Sequence, residues 1–192
     1  MLTSVTRQLR PAIGLLVMLT LILGILYPAF VTAVAQVAFP SQANGSFITV
    51  DGKTFGSSLI GQAFEQPKYF WGRPSAAGAG YDGMSSAGSN LGPTSQALVD
   101  RVITELDRLR AANGEGPVPV DLVTASASGL DPDISPEAAE YQVARVAAAR
   151  DMTPDDVSAV VYRHTQRPIL GFLGASRVNV LELNLDLDGL LG

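Results

Sequence analysis

The chain has 192 residues and a net charge of −5, from 13 Lys and Arg against 18 Asp and Glu. Only 16% of its residues are charged and 47% are apolar, with a mean hydropathy of +0.24, whereas about a quarter of the residues in a globular protein are charged. The acidic balance argues against a nucleic-acid-binding surface. No Cys and one His exclude disulfides, thiolate ligands, Cys nucleophiles and a His-rich zinc site.

The apolar excess is concentrated near the N-terminus. Arg7 and Arg10 are the only charged side chains before Asp51, and the stretch between Arg10 and Asp51 is mostly apolar. A helix of about 20 apolar residues crosses the hydrocarbon core of a bilayer. We therefore predict a transmembrane helix over residues 12–36, with a kink at Pro28 near its outer end.

The charges also predict an orientation and a domain organisation. Arginines before a span favour a cytoplasmic N-terminus, so residues 1–11 are expected in the cytoplasm. Residues 37–56 then form a linker, and residues 57–192 form an extracytoplasmic domain. From Asp51 onward there are 11 basic and 18 acidic residues, a net charge of −7, which suits an acidic, water-exposed lobe.

A cleaved signal peptide is the alternative interpretation of the N-terminal segment. Ala33-Val34-Ala35 matches an A-x-A cleavage site. The apolar run is longer than the usual 7–15 residues of a signal-peptide core. An uncleaved anchor is therefore the preferred prediction, and the signal peptide stays as the alternative.

The remainder of the chain predicts a mixed α+β domain without internal repeats. A strand is expected at Phe47–Val50 before an Asp51-Gly52 turn, and another at Ser57–Phe64. Residues 73–92, rich in Gly, Ser and Ala, predict a long ordered loop. The alternation of apolar and polar residues over Arg177–Asp188 predicts a half-buried strand.

Three helices are predicted from their start signals. The first begins near Pro93-Thr94 and ends at Asn113-Gly114. The second follows Ser135-Pro136, where Ser is a good N-cap and Pro suits the first turn. The third repeats this pattern at Thr153-Pro154.

The sequence offers no convincing catalytic residue and no metal site. Gly78–Gly83 matches G-x-G-x-x-G but lacks the strand and helix that a dinucleotide site requires. The P-loop and the G-x-S-x-G elbow are absent from the sequence. His164, near the end of the third helix, is interpreted as a capping or packing residue.

Several loop residues are candidates for contact with a partner. The backbone amides around Ser89, Asn90 and Gly92 precede a helix and are suited to an anion or a carbonyl group, although a structural turn that needs glycine backbone angles is the preferred interpretation. Asp131 and Asp133 could hold a cation or act as an acid/base pair, or form an Asp-Pro turn. Tyr81 lies in the long loop and completes the candidate set.

The chain resembles the C subunit of the bacterial Kdp potassium-transporting ATPase, the KdpC family. The resemblance extends over nearly the whole chain, including one N-terminal span. It is carried by LIGQ at 59–62, YF at 69–70, RPS at 73–75, SNLGPTS at 89–95, VTASASGLDPDISPEAA at 123–139, QVARVA at 142–147 and the closing RVNVLELNLDLD at 177–188.

The resemblance implies a non-catalytic subunit of the bacterial inner membrane. Its implied partners are a channel-like potassium-binding subunit, a P-type ATPase subunit, a small membrane peptide and membrane lipid. The family is described as a catalytic chaperone that raises the ATP affinity of the ATPase subunit. By the same resemblance Gln142 is a candidate nucleotide contact, and Ser135, at the start of the same helix, is a second one. ATP is therefore an implied ligand, and no cofactor is expected to be firmly bound.

The predicted topology limits the nucleotide role. It places Gln142 outside the cell, where ATP is scarce, so assembly and stabilisation of the pump are the preferred function. A membrane-anchored extracytoplasmic binding protein that acts without a pump is the alternative. An anchored hydrolase is a weaker alternative, because the sequence shows no nucleophile motif for it.

Overall fold

The computed structural model describes residues 2–191. The predicted cytoplasmic segment 1–11 and the predicted domain 57–192 each extend one residue beyond this range, to Met1 and to Gly192. The chain divides into two compact units, Met1–Phe47 and Ile48–Gly192. The elements of the first unit are α1 (Leu2–Leu21), a π-helical turn (Ile22–Leu26), α2 (Tyr27–Ala38) and the short α3 (Pro40–Ala43).

The first unit is dominated by one long apolar helix. Its segment Arg7–Ala38 has 32 residues and a mean hydropathy of 2.4. At 1.5 Å per residue this segment is about 48 Å long, more than the roughly 30 Å of a hydrocarbon core. By length and composition the helix can cross a membrane, and it contains the predicted span 12–36.

A π-helical turn lies next to Pro28, where the sequence predicts a kink. The N–H of Tyr27 donates to the carbonyl of Ile22, five residues back instead of four. Proline has no N–H and its ring clashes with the carbonyl four residues earlier. The wider π turn at Ile22–Leu26 is a usual way for a helix to accommodate such a defect.

A β-hairpin follows the N-terminal helices. Strands β1 (Phe47–Val50) and β2 (Lys53–Ser57) form a two-stranded sheet. Asp51 and Gly52 both have positive φ, +50° and +77°, as a two-residue type I′ turn requires. The strand and turn predicted here are confirmed.

The strand predicted over Ser57–Phe64 is wrong, because β2 ends at Ser57. The Leu59 N–H donates to the Ser57 Oγ at 3.2 Å, a local turn that ends the strand. The Gly61 N–H then donates to the carbonyl of Leu130 at 2.9 Å. A close approach of two backbones therefore replaces strand pairing in this segment.

The helices of the second unit are α4 (Gln96–Asn113), α5 (Pro136–Ala149), α6 (Pro154–His164) and α7 (Val180–Leu187), with a 3-10 turn at Val120–Leu122. The caps predicted for α5 and α6 are confirmed. Ser135 Oγ accepts from the Ala138 N–H at 3.1 Å, and Thr153 Oγ1 accepts from the Asp156 N–H at 3.2 Å. The first predicted helix, α4, begins two residues after the predicted Pro93-Thr94 start.

A small antiparallel sheet connects these helices. Its strands are β3 (Asp133–Ile134), β4 (Thr165–Gln166) and β5 (Arg177–Asn179), in the order β3-β5-β4. Val178 is in register with Ile134 on one side and with Thr165 on the other. The expected mixture of helix and sheet is confirmed.

The strand predicted over Arg177–Asp188 is wrong beyond Asn179, where α7 begins. Asn179 is the N-cap of α7, and its Oδ1 accepts from the Glu182 N–H at 3.1 Å. The leucines that alternate in sequence also cover one side of a helix, since Leu181 and Leu185 are four residues apart and both buried. The cap decides between the two patterns.

The second unit, Ile48–Gly192, is called the lobe below. Its hydrophobic core forms around α5 and the helices beside it. The inward face of α5 consists of small residues, and Ala139, Val143, Val146 and Ala147 are all buried. The fully buried side chains at the centre include Phe70, Leu109, Leu122, Val146, Val157, Val178 and Leu183.

Gly129 is required by its close backbone neighbours. A Cβ there would lie 2.5 Å from the Ala87 carbonyl oxygen and 2.6 Å from the Ala77 nitrogen, at φ +68°. We expect Gly129→Ala to destabilise the lobe by at least about 2 kcal/mol, the cost of a left-handed non-glycine residue plus the clash. Unfolding by denaturant in detergent, followed by Trp71 fluorescence, measures this.

Gly52→Ala is the matched control. Gly52 has φ +77°, but a Cβ added there would meet no atom within 4 Å, so only the conformational cost of about 1–2 kcal/mol applies. Equal losses for the two variants would contradict the steric argument at Gly129.

Candidate functional site

A buried segment without regular structure lies at the centre of the lobe. Phe70 is fully buried and Trp71 is 7% exposed. Asn184 Oδ1 accepts from the Phe70 N–H at 2.8 Å, and its Nδ2 donates to the Phe70 carbonyl at 3.0 Å. Gln142 makes the same pair of bonds to Trp71, at 2.8 and 3.1 Å. The side-chain amides of Asn184 and Gln142 thus make the hydrogen bonds that a neighbouring strand would make in a sheet.

Gln142, the predicted nucleotide contact, is fully buried on α5. Besides its bonds to Trp71, its Nε2 donates to the Ala138 carbonyl at 3.1 Å. Its Oε1 also accepts from Arg145 Nη2 at 2.7 Å. Both amide hydrogens and both acceptor positions are therefore used. The nucleotide role stays a prediction, and the geometry gives Gln142 a structural role.

Two arginines lie over the Trp71 ring. The guanidinium carbon of Arg145 is 4.0 Å and that of Arg108 is 4.5 Å from the ring centroid, within cation–π distance. Burial, with a smaller contribution from the nearby Arg108 charge, lowers the pKa of Arg145 to about 10. Arg145 therefore remains protonated at neutral pH.

A cleft of about 570 Å³ lies beside this cluster, and its wall includes Tyr81, Arg73, Trp71 and Arg108. The Tyr81 hydroxyl donates to the Arg73 carbonyl at 2.5 Å. Burial, followed by the charge of Asp131, raises the pKa of Tyr81 to about 12. Tyr81 is therefore an uncharged phenol, and its hydroxyl hydrogen is used in the hydrogen bond to Arg73. It holds the loop in place instead of acting as an acid or base.

A second cleft, of about 640 Å³, contains the two predicted aspartates. Arg73 Nη1 pairs with Asp131 Oδ2 at 2.8 Å, and Arg177 Nε pairs with Asp133 Oδ2 at 3.1 Å. Burial is the main cause that raises the pKa of Asp133, and Arg177 opposes it. Asp131 and Asp133 therefore each have a cationic partner, while Asp121 and Glu137, which also line the cleft, leave this surface acidic.

Ser135, the second predicted nucleotide residue, lines the same cleft. Its backbone N–H donates to Asp121 Oδ2 at 2.7 Å, and its hydroxyl donates to Asp121 Oδ1 at 3.1 Å. The structure thus brings Ser135 together with Asp131 and Asp133. It places Gln142 in the core instead.

The loop candidates Ser89, Asn90 and Gly92 lie outside the residues that line these two clefts. Asn90 and Gly92 are exposed, and Asn90 has φ +52°. Since α4 begins at Gln96, their amides precede its first turn. Their role in partner contact stays a prediction.

Arg73 was missed as an individual residue by the sequence reasoning. It lines both clefts and connects the Tyr81 loop to Asp131. The only signal for it is its place in the RPS block at 73–75. The partners that give Arg73 its position are distant in sequence, so no local pattern reveals them.

Comparison with known proteins gives a consistent result. The family described as "KdpC: K+-transporting ATPase, c chain" matches residues 9–189. The "Potassium-transporting ATPase KdpC subunit" of Sorangium cellulosum is 58% identical over 185 residues, covering 95% of this chain and 97% of that protein. The subunit of the same name from Dechloromonas aromatica is 56% identical over 183 residues, covering 94% and 96%.

A third relative, the "Potassium-transporting ATPase KdpC subunit" of Caulobacter vibrioides, is 55% identical over 182 residues, covering 94% of this chain and 92% of that protein. The family match over residues 9–189 includes the apolar N-terminal helix, both clefts and the buried amides. The chain therefore belongs to the KdpC family, the c chains of the K+-transporting ATPase.

Proposed function

We propose that the chain is a single-span, non-catalytic subunit of an ATP-driven potassium uptake complex and that it stabilises the assembled pump. The observation that carries the proposal is the family match over residues 9–189, which includes the apolar helix and the lobe alike. The relatives bear the name of a potassium-transporting ATPase subunit. ATP hydrolysis belongs, on this proposal, to another subunit.

The proposed location is the bacterial inner membrane, with the N-terminus in the cytoplasm and the lobe outside. Arg7 and Arg10 lie at the N-terminal end of the apolar helix, and no other charged side chain lies before Asp51. This asymmetry supports the orientation through the positive-inside rule. The 32-residue length of the helix supports a complete crossing.

In the proposed mechanism, the span packs against the helices of a channel-like subunit, a P-type ATPase subunit and a small membrane peptide. The lobe covers the outer potassium entrance. Its charge of −7 raises the local cation concentration slightly, over a distance limited by salt to about 10 Å. The paired charges at Arg73 and Asp131 suit contact with a polar partner surface.

Co-purification tests this assembly role. The chain, with a C-terminal tag, is extracted from native membranes in mild detergent after growth at low potassium. We expect a P-type ATPase and a channel-like subunit in the eluate, together with potassium-stimulated ATPase activity. A lone 20.1 kDa species would instead support the alternative of an independent, membrane-anchored binding protein.

The orientation is tested at the two N-terminal arginines. We expect Arg7→Glu with Arg10→Glu to reduce the N-in population and the yield of assembled complex several-fold, because the positive charge no longer holds the N-terminus in the cytoplasm. Protease accessibility of the lobe in spheroplasts measures the orientation. The double Lys variant is the matched control, and unchanged protection in the Glu variant would refute the orientation argument.

A second candidate function is transient nucleotide contact that raises the ATP affinity of the ATPase subunit. The cleft beside Trp71 supports it, because Arg73 and Arg108 supply positive charge and Tyr81 supplies an aromatic wall. Two points oppose it. Every hydrogen-bonding position of the Gln142 amide is already used within the chain, and the proposed orientation places the lobe outside the cell, where ATP is scarce. We therefore rank nucleotide contact below assembly.

Gln142→Leu separates the structural from the nucleotide role. A structural role predicts a loss of about 2–4 kcal/mol in unfolding free energy, because the N–H and C=O of Trp71 lose their partners in the core. Asn184→Leu, which removes the same pair of bonds from Phe70, is expected to lose a similar amount. Denaturant unfolding in detergent measures both.

The contrary result is equally clear. If Gln142→Leu keeps the wild-type stability and complex yield but the ATP affinity of the purified complex falls, Gln142 contacts nucleotide directly. ATP affinity is read from the dependence of ATPase rate on ATP concentration.

A further inference from the structure

The turn formed by residues 168–174, here called the apolar tip, presents large apolar side chains to solvent. Ile169 and Leu173 face each other in an antiparallel bridge. The exposed side chains and their exposed fractions are Ile169 (71%), Leu170 (78%), Phe172 (73%) and Leu173 (52%). Adjacent exposed apolar groups of this size mark an interaction site.

Four backbone N–H groups of the apolar tip are hydrogen-bonded to carbonyls within it. The N–H of Ile169 donates to the Leu173 carbonyl at 3.0 Å, and the N–H of Leu173 donates back at 2.9 Å. The N–H groups of Gly171 and Phe172 also donate to carbonyls of the tip. Internal pairing is what a segment needs to leave water without unpaired backbone groups.

Leu170 occupies a backbone conformation that leucine rarely adopts. Its φ is +55°, and that of the following Gly171 is +81°. Asn, Asp or Gly would serve such a turn better, and the Leu170 side chain packs against little of the lobe. The residue is therefore better explained by what it contacts outside the chain than by the turn itself.

The charge around the apolar tip is opposite to that of the lobe. Between Tyr162 and Arg177 the sequence contains basic residues and no Asp or Glu, although the lobe as a whole carries −7. Asp186 faces this region from α7, with its Oδ2 3.2 Å from Arg163 Nη2 and 2.8 Å from His164 Nε2. Arg177 is paired with Asp133.

Arg167 is the cation available beside the apolar tip. Its Nη2 donates to the Tyr162 hydroxyl at 3.0 Å, and within residues 2–191 no carboxylate lies at ion-pair distance from it. Exposed aliphatic groups next to Tyr and Arg are the combination found at membrane interfaces, where the ring and the long cationic chain lie at headgroup level.

The segment that connects the apolar helix to the lobe is short. Helix α2 ends at Ala38 and the lobe begins at Ile48. The residues between them, 39–47, reach at most about 30 Å when fully extended. A short tether to an anchored helix raises the effective concentration of the lobe at the bilayer surface, so that even a weak lipid contact is populated. This step rests on the proposed function, because it assumes that the helix is an uncleaved anchor.

We propose that the apolar tip is a second membrane contact, which inserts Leu170 and Phe172 into the interface of an anionic bilayer while Arg167 binds lipid phosphate. A bilayer fits better than a protein groove because a fluid surface accepts a two-residue turn without a preformed pocket. Its phosphates also complement Arg167. A site of this kind positions the lobe by lipid as well as by protein partners.

The absence of cysteine makes the test direct. Leu170→Cys, or Phe172→Cys, gives the full chain one thiol for a nitroxide label. The labelled chain is reconstituted in vesicles of phosphatidylcholine and phosphatidylglycerol. Power-saturation EPR then compares collisions with oxygen, which concentrates in lipid, and with a nickel chelate, which stays in water. We expect the oxygen-to-nickel accessibility ratio at both tip positions to exceed that of a water-exposed control several-fold.

Met84→Cys is that control, because Met84 is an apolar residue that is 99% exposed, lies in the loop over residues 73–92 and lines neither cleft. Arg167→Glu in the labelled tip variants is expected to lower the ratio several-fold in anionic vesicles and to change it little in pure phosphatidylcholine. A tip label with the same nickel accessibility as Met84→Cys would overturn the proposal.

Assembly is measured on the same labelled variants. If they co-purify with the pump but their label stays in water, the lipid contact fails and the proposed function stands. If the label becomes shielded from both reagents only in the complex, a protein partner covers the apolar tip and the lipid proposal is again overturned. Failure of the unlabelled wild-type chain to co-purify would instead remove the proposed function.

Discussion

The structure of the lobe depends on the hydrogen bonding of one buried stretch of backbone. Phe70 and Trp71 pass through the core outside any sheet, and an unpaired N–H or C=O there would carry a full desolvation penalty. Gln142 on α5 and Asn184 on α7 satisfy these groups with four bonds between 2.8 and 3.1 Å. Two helices are thereby fixed to the same segment, and to each other through it.

This arrangement also determines where the surface charges lie. With its backbone held by Gln142, Trp71 presents its ring to Arg108 and Arg145, and Arg73, two residues further on, reaches Asp131. Trp71 lines the first cleft, and Arg73 lines both. The positions of these surface charges therefore depend on the packing of the core. We expect a change at the fully buried amide of Gln142 to alter the clefts, although Gln142 does not line them.

Local chemistry explains which elements the sequence predicts well. The caps at Ser135 and Thr153 and the Asp51-Gly52 turn depend on residues a few positions apart, so they can be read directly. The end of the chain shows the opposite case, since its leucines suit a strand and a helix equally and only the cap at Asn179 selects α7. Trp71, whose backbone Gln142 holds, is 71 positions away, and the exposure of the apolar tip depends on the entire fold. Neither can be read from a local pattern.

The π-helical turn at Ile22–Leu26 has a consequence within the bilayer. Because Pro28 lacks an N–H, the helix cannot satisfy every carbonyl of this turn with its own backbone. Hydrocarbon offers no donor to such an oxygen, whereas a hydroxyl or amide from an adjacent helix does. In the proposed complex, this otherwise apolar stretch thus offers a directional hydrogen-bond acceptor to a neighbouring helix.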